Sequence, residues 1–467
     1  MPDTPLDVAS ADAAPDDVPA EVFSDAPGPA DVAGDVAGHL AADVLVLGAG
    51  VAGLMAARLL AGQRRVLVLE AADRVGGRIR SHAVPGESQP IELGPEFIHG
   101  HATETFALLG ESGLLAYDIA ERQEDAISGV LVRPADAWEA AEELLDRLRA
   151  VDADADVSFD AFLAAHAADV PAAVTRRARS YVEGFNAAYA GQISAHGLWR
   201  VEQYDQAHDG QRQYRLIGAY DRLPTALAAS IKAPSRVLLQ TRVLRVRWQP
   251  GRVDVLAERG GRAVRFTAAQ AVVALPLGVL QRDPTHDHGV AFEPELPLRA
   301  ALREKLAMGN VVKAMLLCDA PFWEKEDRDA AFLHSGDAPF PTWWTTLPLR
   351  SNLLTGWAGG PAADRLPRGQ AAVTRAAIDS VATLFAREPR EIAGHVRQCV
   401  IADWRDEPLA GGAYSWPRVG GARLPDALAA PIDGTLYFAG EHTVAEMIGT
   451  VAGALASGRR AAEQIRV

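Results

Sequence analysis

The feature that most constrains this chain is a glycine triad set between an apolar strand and an apolar helix. VLVLGAGVAG (44–53) reads as a buried strand running into a turn, LMAARLLAGQ (54–63) as a helix that ends near Gly62, and RVLVLE (65–70) as a second apolar strand. Gly48, Gly50 and Gly53 form G-x-G-x-x-G. Alone, that pattern says little. Here it follows a strand, opens a helix and is answered by Glu70 at the end of the next strand, which is the context of a dinucleotide-binding βαβ unit. Gly48 permits the tight turn, Gly50 lets the backbone approach a pyrophosphate, and Gly53 allows helix and strand to pack closely. The helix N-terminus offers free N–H groups and a partial positive charge to phosphate. Glu70 can accept hydrogen bonds from ribose hydroxyls.

The next segment discriminates between dinucleotides. AADRVGGRIRS (71–81) adds a second glycine pair and Arg78. A nicotinamide site needs no such extension. A flavin dinucleotide lies extended across the sheet, where a second loop can reach its diphosphate and Arg78 can offer a guanidinium fork to phosphate or to the flavin edge.

A chain of 467 residues is too long for one core, so two intertwined domains are expected. No apolar run reaches 18 residues, which predicts no membrane span. The start carries no leader pattern, so a cytoplasmic location is expected. Cys318 and Cys399 are the only cysteines, and the twelve histidines show no ligand spacing, so neither a disulfide framework nor a metal site is predicted. The formal charge is −15, from 46 basic and 61 acidic residues. Nine of the acids lie in the first forty residues, which hold no Lys or Arg, so the folded part is mildly acidic and nucleic-acid binding is disfavoured. Residues 1–40, rich in Ala, Asp and Pro, read as a disordered acidic tail.

Further along, 101–215 reads as mostly helical, with AWEAAEELLDRLRA (137–150) at helical period. VLLQTRVLRVRW (237–248), VDVLAE (253–258), AVRFTA (263–268) and AVVALP (271–276) read as a β-meander. A helix is predicted over 299–308, a strand over VVKAMLLC (311–318) and a closing helix over ALASGRRAAEQI (454–465).

At Glu70, Arg74, Gly76, Gly77 and Arg78, in the pattern E-x-x-x-R-x-G-G-R, the chain resembles the flavin amine oxidases. That family includes monoamine oxidases, polyamine oxidases and flavin-dependent histone lysine demethylases. The resemblance covers blocks from about 43 to 100, 216 to 323 and 403 to 465. It implies an α/β protein. A Rossmann-type FAD-binding domain would comprise 41–100, 216–285 and 400–467, and a discontinuous mixed α+β substrate-binding domain 101–215 and 286–399.

Residue by residue, the resemblance implies the following. In IELGPEFIHG (91–100), Gly94 lies close to the flavin ring, and His99 falls on the pocket histidine of polyamine oxidases. Pro95 and Phe97 depart from the usual small residue and Trp, and Glu96 is a candidate partner for a cationic substrate group. In TRVLRVRW (241–248), the Val243 backbone holds the adenine. In GNVVKAMLLCDAPFW (309–323), Lys313 is the family lysine and holds a water against flavin N5; an apolar strand otherwise gives little reason for a lone lysine. In DWRDEPLAGGAYSW (403–416), Trp404 lies beside the ring and Tyr414 lines the substrate cage. Ala413 stands where monoamine oxidases carry the flavin-bonding cysteine, which implies non-covalent FAD. In LYFAGEHT (436–443) and GTVAGALASGRRAAEQI (449–465), Glu441 binds along the ribityl–phosphate region. Thr450 and Val451 bring a helix N-terminus to the flavin pyrimidine edge, and Thr450 also takes the place of the second cage tyrosine on the substrate side.

The implied reaction moves a hydride equivalent from the carbon beside an amine nitrogen to flavin N5, giving an imine, then an aldehyde or ketone, and hydrogen peroxide. The partners would be a small amine, with polyamines favoured, and oxygen; the protein would be a monomer or homodimer. An L-amino acid oxidase is an alternative that needs an arginine for the carboxylate, with Arg200 and Arg212 as candidates. A flavin dehydrogenase or desaturase that uses an electron carrier is another. Trp343 and Trp344 are candidates for the substrate tunnel. The sequence has no room for the long coiled-coil insert of the chromatin enzymes.

Overall fold

Strands of unbroken aliphatic side chains have no face to give to water and must sit inside a sheet covered on both sides. The computed structural model describes residues 38–466, apart from positions 88, 134, 135 and 337. In it, Val44–Leu47 and Val66–Leu69 are the buried centre of a five-stranded parallel sheet. Its order is Arg236–Leu238, Val66–Leu69, Val44–Leu47, Gln270–Val273 and Leu436–Phe438. The sheet therefore joins the start, middle and end of the chain. The helix Val51–Leu60 leaves the first strand and packs along the closing helix Val451–Arg466. Contact between these helices is so close that a Cβ on Gly458 would lie 2.2 Å from the Ala52 carbonyl oxygen.

A second five-stranded sheet covers the other face. Thr241–Gln249, Arg252–Arg259 and Arg262–Ala268 form an antiparallel meander, flanked by the parallel strands Ala291–Glu293 and His39–Ala41. Of the four strands predicted for the meander, the last, Gln270–Val273, and the start of the first, Arg236–Leu238, lie in the parallel sheet instead. The run 237–248 is broken at Gln240, whose φ of 52° turns the chain from one sheet into the other. Local alternation marks a strand but carries no information about which sheet it joins. The expected acidic tail of residues 1–40 falls mostly outside the described residues; its last part, His39–Ala41, is a strand paired with Arg265–Thr267.

The described residues also form a seven-stranded sheet with its own core cluster. Its order is Val396–Asp403, Val311–Cys318, Leu353–Gly359, Thr342–Trp344, Phe332–His334, Gln123–Ile127 and Val130–Val132. The strand Val311–Cys318 is buried along its whole length, as its apolar run predicts. The region 101–215 supplies the helices Thr103–Ser112, Ala137–Asp146, Phe159–His166, Ala172–Phe185 and Ala195–Ala207. It also supplies short strands at Ala116–Asp118, Gln123–Ile127, Val130–Val132 and Gln213–Leu216 that the helical reading did not foresee. Among the described residues, no helix is long and apolar enough to cross a membrane.

Gly458 sets two effects against each other. Replacing an interior helical glycine by alanine ordinarily stabilises by about 1 kcal/mol. At this helix crossing, the added methyl meets backbone, and overpacking costs roughly 1–3 kcal/mol. Gly458→Ala is expected to lower the midpoint of thermal unfolding; a rise would show that the helices separate freely.

Candidate active site

The turn after the first strand is held by Glu70. One carboxylate oxygen accepts from the Ala49 amide at 2.7 Å and the other from the Ala72 amide at 2.9 Å. Burial pushes this carboxyl above its usual range against the pull of those amides. Gly48 has φ 106°, and a Cβ there would lie 2.7 Å from the Ala274 carbonyl oxygen. A Cβ on Gly53 would lie 2.1 Å from the Gly48 carbonyl oxygen, so this position needs glycine for packing. Gly50 differs: no atom lies within 4 Å of where its Cβ would be, and it faces a cavity. The second glycine loop joins this wall through a bridge from Gly50 to Gly76.

The cavity has a volume of about 1210 Å³ and runs from Gly48, Gly50 and Glu70, past Gly77 and Arg78, to an aromatic chamber. Glu441 closes it from the far end of the sequence. Its carboxylate is buried and accepts from Arg78 Nη1 at 2.8 Å, from the Ser415 hydroxyl and from the Gly449 amide at 2.9 Å. Burial works against its charge, but Arg78, the neighbouring His442 and the hydrogen bond from Ser415 together hold the carboxyl below its usual range. Thr450 caps the closing helix, its hydroxyl accepting from the Gly453 amide at 2.9 Å, and Gly449, Thr450 and Val451 bring the helix N-terminus to the cavity wall. Val243 lines the opposite end of the cavity, beside an irregularity between Val243 and Arg245 that interrupts the strand ladder.

Lys313 sits at the junction of cradle and chamber and is 1% exposed. Its three protons go to the carbonyl oxygens of Glu92 at 2.7 Å and Gly94 at 3.1 Å and to Glu96 Oε2 at 3.1 Å. Trp404 is buried nearby and donates from Nε1 to the Leu93 carbonyl at 2.9 Å. Gly94 owes its lack of a side chain first to protein, since a Cβ there would lie 2.0 Å from the Arg78 carbonyl oxygen. Tyr414 donates to the Phe185 carbonyl at 2.5 Å and lies near-parallel to Trp357, at 19° and 6.4 Å between centroids. His99 meets Phe185 edge-on at 5.7 Å, and burial pushes its imidazole down to about 4, so it is neutral at physiological pH.

Comparisons with known proteins place this geometry. Residues 51–466 match the family described as flavin containing amine oxidoreductase. The chain belongs to that family. It is 27% identical to Lysine-specific histone demethylase 1 homolog 2 of Oryza sativa subsp. japonica over 473 residues, covering 91% of this chain and 57% of the relative. It is 27% identical to Polyamine oxidase 2 of Arabidopsis thaliana, covering 91% of this chain and 88% of the relative. The chain thus spans less than three fifths of the demethylase homologue that it matches. Putrescine oxidase solved with putrescine superposes with a TM-score of 0.77 at 21% identity, over 92% of this chain and 99% of that one. Cyclohexylamine oxidase from Brevibacterium oxydans gives 0.75 at 22%, over 91% and 98%.

FAD is the cofactor of this family, and the residues fit it. The bare Cα of Gly50, the Glu70 carboxylate, the Arg78 guanidinium and the Thr450 helix end all line the one cavity, and they offer the groups that a flavin dinucleotide needs.

Several sequence expectations change in detail. Glu96 is not a free carboxylate for a substrate cation: Lys313, Arg215 and Trp344 already surround it. Lys313 has no proton left for a water while those three bonds hold. Arg200 pairs with Asp426 and Glu446, and Arg212 pairs with Asp118 at the surface; neither lies on the cavity wall. Trp344 lines the cavity, whereas Trp343 points into the core on the other face, as adjacent strand residues must. Arg215, Trp357, Phe185 and Tyr181 escaped the sequence reading. Trp357 lies directly opposite Lys313 in the neighbouring strand, a pairing that only the register reveals.

Glu441→Gln tests the clasp. It leaves the Arg78 cation without its buried counter-charge, which costs roughly 3 kcal/mol or more. We expect a lower unfolding midpoint in denaturant and loss of FAD on gel filtration. A variant that keeps both stability and colour would remove the clasp from the account.

Proposed function

We propose that the chain is a FAD-dependent amine oxidase acting on small amines, with di- and polyamines favoured, and with oxygen as the electron acceptor. The observation that carries this reading is one continuous cavity joining the dinucleotide cradle to a chamber walled by Trp344, Trp357, Tyr414 and Phe97. FAD, when bound, accepts a hydride equivalent from the carbon beside the amine nitrogen and returns the electrons to oxygen as hydrogen peroxide.

The chain's own residues prepare the amine. An ammonium must lose its proton before its lone pair can drive hydride loss. Neutral His99 and the Tyr414 phenol, whose ionisation burial pushes up, supply no charge that would hold an ammonium there. The aromatic faces desolvate the amine and orient its C–H bond. Lys313 acts beside the cradle as a fixed cation; the water-holding role implied by the resemblance would require one of its three bonds to open.

Preference for more than one nitrogen is supported by the carboxylates Glu142, Glu202 and Asp205, which line the same cavity along with Arg176 and Arg177. Burial, then the neighbouring Glu202, pushes the Asp205 carboxyl up to about 7. A second ammonium would relieve that repulsion. No cysteine reaches the cavity wall: Cys318 lies in the core, and Cys399 sits on an outer strand of its sheet. With Ala413 beside Tyr414, this supports non-covalent FAD.

Anaerobic mixing with monoamines, diamines, polyamines and L-amino acids tests the reading. Amines are expected to bleach the flavin, and a chain bleached by amino acids alone would overturn it. Acid precipitation should release all the yellow colour; flavin left on the protein would exclude non-covalent binding. The pH dependence has a definite sign. As pH falls through about 7, Asp205 takes up a proton and its attraction for a second ammonium is lost. KM for a diamine should therefore rise below pH 7 relative to a monoamine of matched length, and Asp205→Asn should abolish that difference.

A further inference from the structure

A lysine on an interior strand must find an acceptor for each of its three protons or strand a donor. Two acceptors of Lys313 are main-chain carbonyls, which any sequence would present. The third is the Glu96 side chain. Glu96 is 9% exposed and is gripped from two further sides. Trp344 Nε1 donates to its Oε1 at 3.2 Å, and Arg215 Nη2 lies 2.9 Å from the same oxygen. Arg215 is itself fixed, donating from Nη1 to the Thr345 carbonyl at 2.8 Å and lying over the Phe97 ring at 4.7 Å. One carboxylate thus ties together the cavity-wall segment 94–97 and the strands carrying Arg215, Lys313 and Trp344.

Stability is a poor explanation for this cluster. Burying three charges costs desolvation that ion pairing often fails to recover, and apolar side chains would fill the space at least as well. What the arrangement achieves is fixed geometry. Burial alone would raise the Glu96 carboxyl, and Arg215 followed by Lys313 more than reverse that, so the group stays an anion between two cations.

We propose that Glu96 is a positioning residue: wedged between Lys313 and Arg215, its carboxylate fixes the Lys313 ammonium at one point of the cavity wall, from which the lysine acts on the bound flavin. Its kinetic consequence rests on the amine-oxidase reading; its structural consequence does not. Glutamine is a poor substitute, because its amide nitrogen must point a donor at Lys313 or at the Trp344 and Arg215 donors.

The chain has only four lysines, Lys232, Lys305, Lys313 and Lys325, so holoenzyme labelled with 13C at lysine Cε gives four methylene signals. Lys313→Met identifies the one from Lys313. A fixed ammonium keeps the two Hε protons of Lys313 inequivalent, and Glu96→Gln should merge them. Trp344→Phe leaves every charge in place, guards against a glutamine variant that does not fold, and should shift the same signal by a smaller amount. In anaerobic stopped flow, Glu96→Gln should slow flavin reduction roughly 10- to 100-fold, the worth of one charge-assisted hydrogen bond. In the Lys313→Met background, the same change should alter the rate by no more than about twofold. The proposal is overturned if the Lys313 methylene is unmoved in both Glu96→Gln and Trp344→Phe, or if Glu96→Gln slows reduction equally with and without Lys313. Should no amine bleach the wild-type flavin, the functional reading falls, and the Lys313 signal still decides the role of Glu96.

Discussion

The ion pair between Arg78 and Glu441 joins residues 363 positions apart and ties two walls of the cavity together. Arg78 belongs to the second glycine loop and Glu441 to the segment that leads into the closing helix. Each is a surface feature of its own segment; together they make the cradle. Glu441 also accepts from Ser415 and from the Gly449 amide, so three wall segments converge on one buried carboxylate. A buried pair of this kind contributes little net stability when intact, yet breaking it is costly. Its value lies in fixing where the last helix begins, and therefore where that helix's partial positive charge points.

The chamber follows a second constraint, the placement of charge in a space that excludes water. Next to the cradle, Lys313 and Arg215 flank the Glu96 carboxylate. Elsewhere the cavity wall carries the carboxylates Glu142, Glu202 and Asp205, together with Arg176 and Arg177. Aromatic rings and a neutral His99 line it as well. Coulomb interactions across such a space are screened far less than in bulk water.

Legibility in the sequence was uneven, for physical reasons. The glycine turn could be read because its requirements are local: a positive φ at Gly48, a close approach at Gly53 and a carboxylate at the end of the next strand. Lys313 stood out because a lone lysine in an apolar strand is anomalous. The meander was misread at both ends, since strands 236–238 and 270–273 carry the same alternation as their neighbours yet pair with the parallel sheet. Glu96, Lys313 and Trp344 were each singled out, but not their convergence or Arg215, because these partners lie more than a hundred residues from Glu96 along the chain.

By itself, the sequence determined the βαβ crossover, its dinucleotide preference and the resemblance to flavin amine oxidases. Each rests on short motifs whose residues are close neighbours in the chain, even where the motifs themselves lie far apart. Tertiary structure alone decided which side chains face the cavity. It turned Trp344 inward and Trp343 away, placed Trp357 across from Lys313, and took Arg200 and Arg212 off the wall. The reason is that strand register and sheet order are set by burial summed over the whole molecule. A shift of a single residue, invisible in the local pattern, exchanges every side chain between core and cavity.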